Sequence, residues 1–136
     1  MSEKTKVVID AKNSILGRLA SFAAKESLKG FDVVVINSDL ALVSGARRDI
    51  IESYQTKRKR GGTAQKGPYF PSDPFRIVKR TIRGMLPYKQ GRGLAALKRV
   101  FCYDGIPAEF QSVKAKTLVH TTKAKTMTLK ELCTEI

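Results

Sequence analysis

Histidine, cysteine and acidic residues are scarce in this chain, and each shortage removes a class of function. Its 136 residues hold one histidine, His120, and two cysteines, Cys102 and Cys133. A zinc site needs about four ligands of these types at close spacing. A nucleophile with its base cannot be assembled from one histidine and two scattered thiols either. The cysteines sit in no CxxC pattern and read as small buried thiols; nothing in their placement supports a disulfide. No apolar run approaches the roughly 20 residues that cross a bilayer. Val7-Val8-Ile9, following Met1 to Lys6, is too short for a signal peptide. There is no GxGxxG, no phosphate-loop motif and no internal repeat. These absences lead to the expectation of an intracellular, cytoplasmic protein with no membrane, cofactor, metal or small-molecule substrate.

What the chain has in excess is positive charge: 26 Lys and Arg against 12 Asp and Glu. The excess is local. Between Arg47 and Arg99 lie fifteen cations and three acids, Asp49, Glu52 and Asp73. The remainder of the chain is nearly balanced. A concentrated basic surface is the electrostatic footprint of a polyanion partner, most often nucleic acid. With 42% apolar residues, a chain of this length supports one domain with a real core.

The periodicities place this charge on elements. Lys6–Ile9 reads as a short strand closed by Asp10. Asn13-Ser14 reads as the cap of a helix with Leu16, Leu19, Ala20, Ala23 and Ser27/Leu28 on one face, stopped at Gly30. Val33–Ile36 is an unbroken β-branched run, the pattern of a strand covered on both faces in a parallel sheet. Strand, helix and strand in about thirty residues make a βαβ unit. Ala41–Val43 is a further extended segment, and Ser44 reads as the cap of a second helix through Ala46, Ile50 and Tyr54. After Gln55 the chain loses its period. Residues 55–72, including Lys57-Arg58-Lys59-Arg60 and Pro68-Tyr69-Phe70-Pro71, read as a long basic loop. Asp73-Pro74 opens a helix with an apolar stripe of Phe75, Val78, Ile82, Met85 and Leu86. Gln90–Gly93 reads as flexible, Leu94–Val100 as a short helix and Phe101–Tyr103 as a strand. Thr128-Leu129-Lys130-Glu131 is a capping box for a last helix.

Several of these features could hold an anion. Arg76, Lys79, Arg80 and Arg83 share one helix face. A solvated face usually mixes signs, but no acid occurs between Asp73 and Asp104, so phosphates are the natural counter-charge. Ser44–Arg48 offers helix-start N–H groups with the guanidiniums of Arg47 and Arg48 one turn in. The Lys57–Arg60 run is either a solvated charge run or, with Lys66 and the Tyr69-Phe70 pair, an adaptable nucleic-acid arm; the two aromatics fit core packing as well as base stacking. Gly17-Arg18 is either an anion site or a close helix contact beside a surface arginine. Asp10, Asp39 and Asp104 fall at strand ends, where an α/β enzyme keeps its acids and where turns also use them.

A set of segments in fixed order resembles the large-subunit ribosomal protein thirteen family. They are Val8-Ile9-Asp10-Ala11, Ile15–Ala20, Val33–Asn37, Val43-Ser44-Gly45, Lys66–Pro71, Arg80–Pro87, Arg92-Gly93, Ala96–Arg99 and Tyr103–Pro107. They span about residues 7–107. The Gly-Pro-Tyr-Phe-Pro and Arg-Gly-Met-Leu-Pro segments look like the archaeal–eukaryotic branch. The long C-terminal helical extension of eukaryotic cytosolic members is lacking, which favours an archaeal source over a compact eukaryotic form. The resemblance fades after Ala108, leaving 108–136 as a tail outside its reach.

The resemblance implies a three-layer α/β/α fold with a small, largely parallel four-stranded sheet. It implies a non-catalytic partner of large-subunit rRNA and of neighbouring ribosomal proteins, with a part in subunit assembly. The RNA contacts it implies fall on Arg18, Arg47, Arg48, Lys57, Arg58, Lys59, Arg60, Lys66, Arg76, Lys79, Arg80 and Arg83. Lys89, Arg92, Lys98 and Arg99 join them. Two rivals stand beside this reading: an extraribosomal messenger-RNA-binding regulator, and a nucleotide-using α/β enzyme.

Overall fold

The computed structural model describes residues 6–59, 73–111, 115–117 and 125–135. Strand β1 (Lys6–Asp10) is followed by helix α1 (Leu16–Leu28) and strand β2 (Asp32–Ile36). β3 (Leu42–Ser44), α2 (Arg47–Lys59), α3 (Pro74–Gly84), α4 (Gly91–Lys98) and β4 (Val100–Cys102) come next. β5 (Lys116–Thr117), β6 (Thr126–Thr128) and α5 (Leu129–Glu135) complete the order. The fold is a mixed α/β architecture. Its described strands divide into a parallel four-stranded sheet, β4-β2-β1-β5, and a separate antiparallel ribbon, β3-β6.

The β-branched run explains the sheet. β2 lies between β1 and β4, with Val33 opposite both Val7 and Val100. Alternation along a strand sends Val33 and Val35 to one face and Val34 and Ile36 to the other, and all four are buried. The first face, with Ile9, carries the main core, to which all five helices contribute. The second face, with Val8, is covered by Phe110 from a 3-10 turn (Ala108–Phe110) and by Ala115.

Several local expectations shift. α1 begins at Leu16 with Ile15 at the cap position and no side-chain cap. Ser14 is fully buried; its hydroxyl donates to the Asp10 carbonyl at 3.4 Å while its own carbonyl accepts the Leu42 N–H at 2.8 Å. The presumed cap thus ties two extended segments together. At the other end the helix stops as expected: Gly30 adopts φ +101°, a left-handed conformation that suits glycine. Ser44 does not cap α2. It ends β3 opposite Thr126, and the helix starts at Arg47.

α2 also runs one turn further than the sequence suggests, through Lys57, Arg58 and Lys59. Lysine and arginine are good helix formers, and losing the apolar period ends the buried face rather than the helix. The remainder of the expected basic loop lies outside the described residues. α4 likewise begins at Gly91, inside the segment read as flexible, and ends at Lys98. Val100 leaves the helix reading for the sheet, where it is fully buried.

The α4 start rests on a close approach. A Cβ on Gly93 would collide with the carbonyl carbon and oxygen of Pro87 and lie 2.8 Å from the Tyr88 nitrogen. The Gln90 N–H closes the same corner on the Pro87 carbonyl at 2.9 Å. The stripe on α3 is corrected too: Ile77, Val78, Ile82 and Leu86 are buried, while Met85 is 43% exposed. α3 ends at Gly84, so Met85 sits at the cap, outside the helical period.

The Thr128 half of the capping box forms, with the Glu131 N–H donating to Thr128 Oγ1 at 3.3 Å. The tail is also part of the fold. β6 pairs with β3, β5 extends the sheet beside β1, and Leu129 and Leu132 of α5 are fully buried.

Candidate nucleic-acid interface

α3 places the strongest cluster of cations. At about 100° per residue, Arg76, Lys79, Arg80 and Arg83 fall within one face, and the buried Ile77, Val78 and Ile82 fall on the other side. That burial anchors the helix to α1 and β4 and leaves Arg76 exposed and Lys79, Arg80 and Arg83 half-buried on the opposite side. Arg76 leans back on Asp73 at 3.5 Å, an exposed pair of the kind that stabilises little. The Arg83 guanidinium lies over the Tyr88 ring, 5.2 Å from its centroid. Lys79 lies near enough to Cys102 to oppose, electrostatically, the burial that pushes this thiol up to about 12. Cys102 is therefore an inert core thiol.

The α3 N-terminus is tied from outside the helix. The Asp73 side chain makes no cap hydrogen bond. The Asp104 carboxylate, from the turn after β4, accepts the Phe75 N–H instead. Burial raises the Asp104 pKa, the neighbouring carboxylates of Asp39 and Asp73 raise it further, and that N–H partly offsets them. This end of α3 is consequently acidic, and the chain's positive field is directional: cations along α3 and α4, carboxylates at the α3 start.

The other expected cations differ in what lies beside them. Arg18, Lys89, Arg92 and Lys98 are exposed on α1, the α3–α4 corner and α4. Arg47 is shared between Glu135 at 3.3 Å and Glu131 at 3.8 Å, and Arg48 pairs with Glu52 at 3.2 Å. The Gly45 N–H in the same cluster donates to the Lys125 carbonyl at 2.8 Å. The helix start at 44–48 is thus partly neutralised by α5 and partly occupied, rather than an open anion site. Lys57 lies over the Tyr54 ring at 4.9 Å, and Lys59 is exposed on the last turn of α2. The Arg58 side chain, Arg60, Lys66 and the Tyr69-Phe70 pair lie outside the described residues.

Arg99 has a structural task. Its Nε and Nη2 both donate to the Ser27 carbonyl, at 3.2 and 3.0 Å. The same carbonyl accepts the Gly30 N–H at 3.1 Å, and a cation forked onto the last turn of α1 suits the helix dipole. Arg99→Ala is expected to lower stability by about 1–3 kcal/mol, the range for a charged hydrogen bond. Lysine, lacking the fork, recovers only part of this. Thermal denaturation of the two variants checks it.

The acids at the strand ends serve turns. Asp10 Oδ1 accepts the Lys12 N–H and the Asn37 side-chain amide, both at 3.0 Å. Asp39 Oδ1 accepts the Gly105 N–H at 3.3 Å. Among the described residues no group of three or more His, Cys, Asp or Glu could hold a metal ion, and no helix is long and apolar enough to cross a membrane. Sequence reasoning missed Tyr88 and the exposed Met85 and Leu94 around the α3–α4 corner. Nothing in the local pattern distinguishes them from core residues.

The described residues thus present a basic helix face on a small parallel sheet in a mixed α/β fold. Comparison with known families goes further. The family model described as ribosomal protein L13 matches residues 4–109, and the chain belongs to this family. It is 47% identical over 112 residues to the large ribosomal subunit protein uL13 of Methanosarcina barkeri, covering 82% of this chain and 79% of that one. It is 42% identical over 134 residues to the protein of the same name from Methanococcoides burtonii, covering 95% and 96%. A third such protein, from Archaeoglobus fulgidus, is 48% identical over 104 residues, covering 76% of this chain and 66% of that one. The match to the Methanococcoides protein takes in much of the tail beyond Ala108.

Proposed function

We propose that this chain is a non-catalytic constituent of the large ribosomal subunit, in the cytoplasm, that binds rRNA and supports subunit assembly. The observation that carries the proposal is the α3 face: four cations on one side of a helix whose other side is locked into the core, in a stretch without acids from residue 74 to 103. A face with this excess of cations is suited to neutralisation by phosphates. Arg18, Lys89, Arg92 and Lys98 extend it on neighbouring elements, and the basic residues 57–66 add further cations. RNA is recognised here through its phosphates and shape rather than its base edges. The names of the relatives place those proteins in the large subunit, and neighbouring ribosomal proteins are the second class of partner.

The test is sucrose-gradient fractionation of the source cell. A subunit constituent is near stoichiometric in the large-subunit peak. Recovery mainly in lighter messenger-RNA fractions overturns the reading in favour of an extraribosomal regulator.

A further inference from the structure

We propose that the corner between α3 and α4 is a nucleobase platform. On it the Tyr88 ring takes an unpaired base of the RNA, while Arg83, Lys89 and Arg92 hold the adjoining phosphates. The proposal deepens the RNA-binding reading above and rests on it. Three large apolar side chains stand in water at this corner: Met85 is 43% exposed, Tyr88 38% and Leu94 46%. All three fall between residues 85 and 94, and exposed apolar groups of this size on one corner suit a contact surface. They are not left over from a loose segment. Gly93 packs against the Pro87–Tyr88 peptide so closely that it admits no Cβ. The Tyr88 N–H donates to the Leu86 carbonyl at 2.8 Å, and the Leu94 N–H to the Gln90 carbonyl at 3.0 Å. The ring is therefore displayed on a fixed backbone, which lowers the ordering cost of binding.

The electrostatics select the occupant. The Arg83 guanidinium lies 5.2 Å from the Tyr88 ring centroid, and Lys89 and Arg92 are exposed beside it. An apolar protein surface would leave these cations without counter-charge, because among the described residues none of the three forms an ion pair. A nucleotide presents a flat apolar face and an anion together. Stacking on aromatic and guanidinium planes is the usual way single-stranded RNA is held.

The experiment is filter binding of the full chain to large-subunit rRNA across a salt series. Tyr88→Ala is expected to weaken binding about 5- to 100-fold. The factor is expected to be the same at every salt concentration, because a stacked base releases no counterions. Tyr88→Phe keeps wild-type affinity. Lys89→Ala with Arg92→Ala instead flattens the salt slope. The chain contains no tryptophan, so Tyr88→Trp supplies a single probe that does not depend on the alanine variant folding. Its emission is quenched on RNA binding if a base stacks there. Unchanged affinity of Tyr88→Ala, a phenylalanine variant as weak as the alanine one, or tryptophan emission indifferent to RNA overturns the platform. Tyr88→Ala particles that bind rRNA normally but lose a neighbouring protein overturn it in favour of a protein contact. Failure of the wild-type chain to bind rRNA overturns the underlying reading instead.

Discussion

Replacing Arg76, Lys79, Arg80 and Arg83 together by alanine is expected to weaken rRNA binding on the order of 100-fold near 0.2 M salt. It is also expected to reduce the salt slope by about 3, at 0.7–0.9 per phosphate contact. The fold should survive. These side chains project from the face opposite Ile77, Val78 and Ile82, so the core is untouched. The Arg76–Asp73 pair is exposed and its loss costs at most about 1 kcal/mol; alanine is the better helix former. Arg47→Ala with Arg48→Ala should do much less to binding, because Glu131, Glu135 and Glu52 already answer those charges. Filter binding over a salt series reads both sets, with circular dichroism as the folding control. Equal effects of the two sets would show that net charge, not the α3 face, carries the interaction.

Among the glycines of the described residues, Gly93→Ala is expected to be the most damaging. Its Cβ meets backbone, not a side chain that can swing aside. Either α4 moves off the Pro87 corner or the corner opens. Ala96 and Val100, both fully buried, depend on that placement. Overpacking of this kind costs about 1–3 kcal/mol, and the immovable partner puts this site at the upper end. For a chain of this size that lowers Tm by roughly 10 °C, measurable by calorimetry. A Tm within about 2 °C of wild type would mean that the close approach is relieved at little cost. RNA affinity should fall as well, since Lys89, Arg92 and Tyr88 stand on the same corner.

Much of the fold was legible because its signals are local. The β-branched run 33–36 can be satisfied only by burial on both sides, and β2 occupies the position between β1 and β4. Asp73-Pro74 opens α3, through the proline in the first turn rather than an Asp73 side-chain cap, and Thr128 caps α5 on the Glu131 N–H; both signals act within one turn. Boundaries set by tertiary contact were not legible. Ser14 and Ser44 carry cap chemistry, but their backbones are held by Leu42 and Thr126 respectively. The pairing of β3 with β6 joins segments some eighty residues apart, and no local pattern announces it.

The same division runs through the candidate site. By itself, the sequence determined that the protein is strongly basic, that the charge is concentrated between Arg47 and Arg99, and that α3 separates a cationic from an apolar face. It also determined the family resemblance. These are properties of composition, period and residue order, and they hold before the chain is folded. Only the tertiary structure decided which cations face outward. Arg47 is met by α5, and Arg99 is turned inward onto the end of α1, while Arg83 is drawn to Tyr88 on the α3–α4 corner. The physical reason is that a charge acts on whatever lies within a few ångströms of it, and that neighbourhood is made by packing rather than by order along the chain.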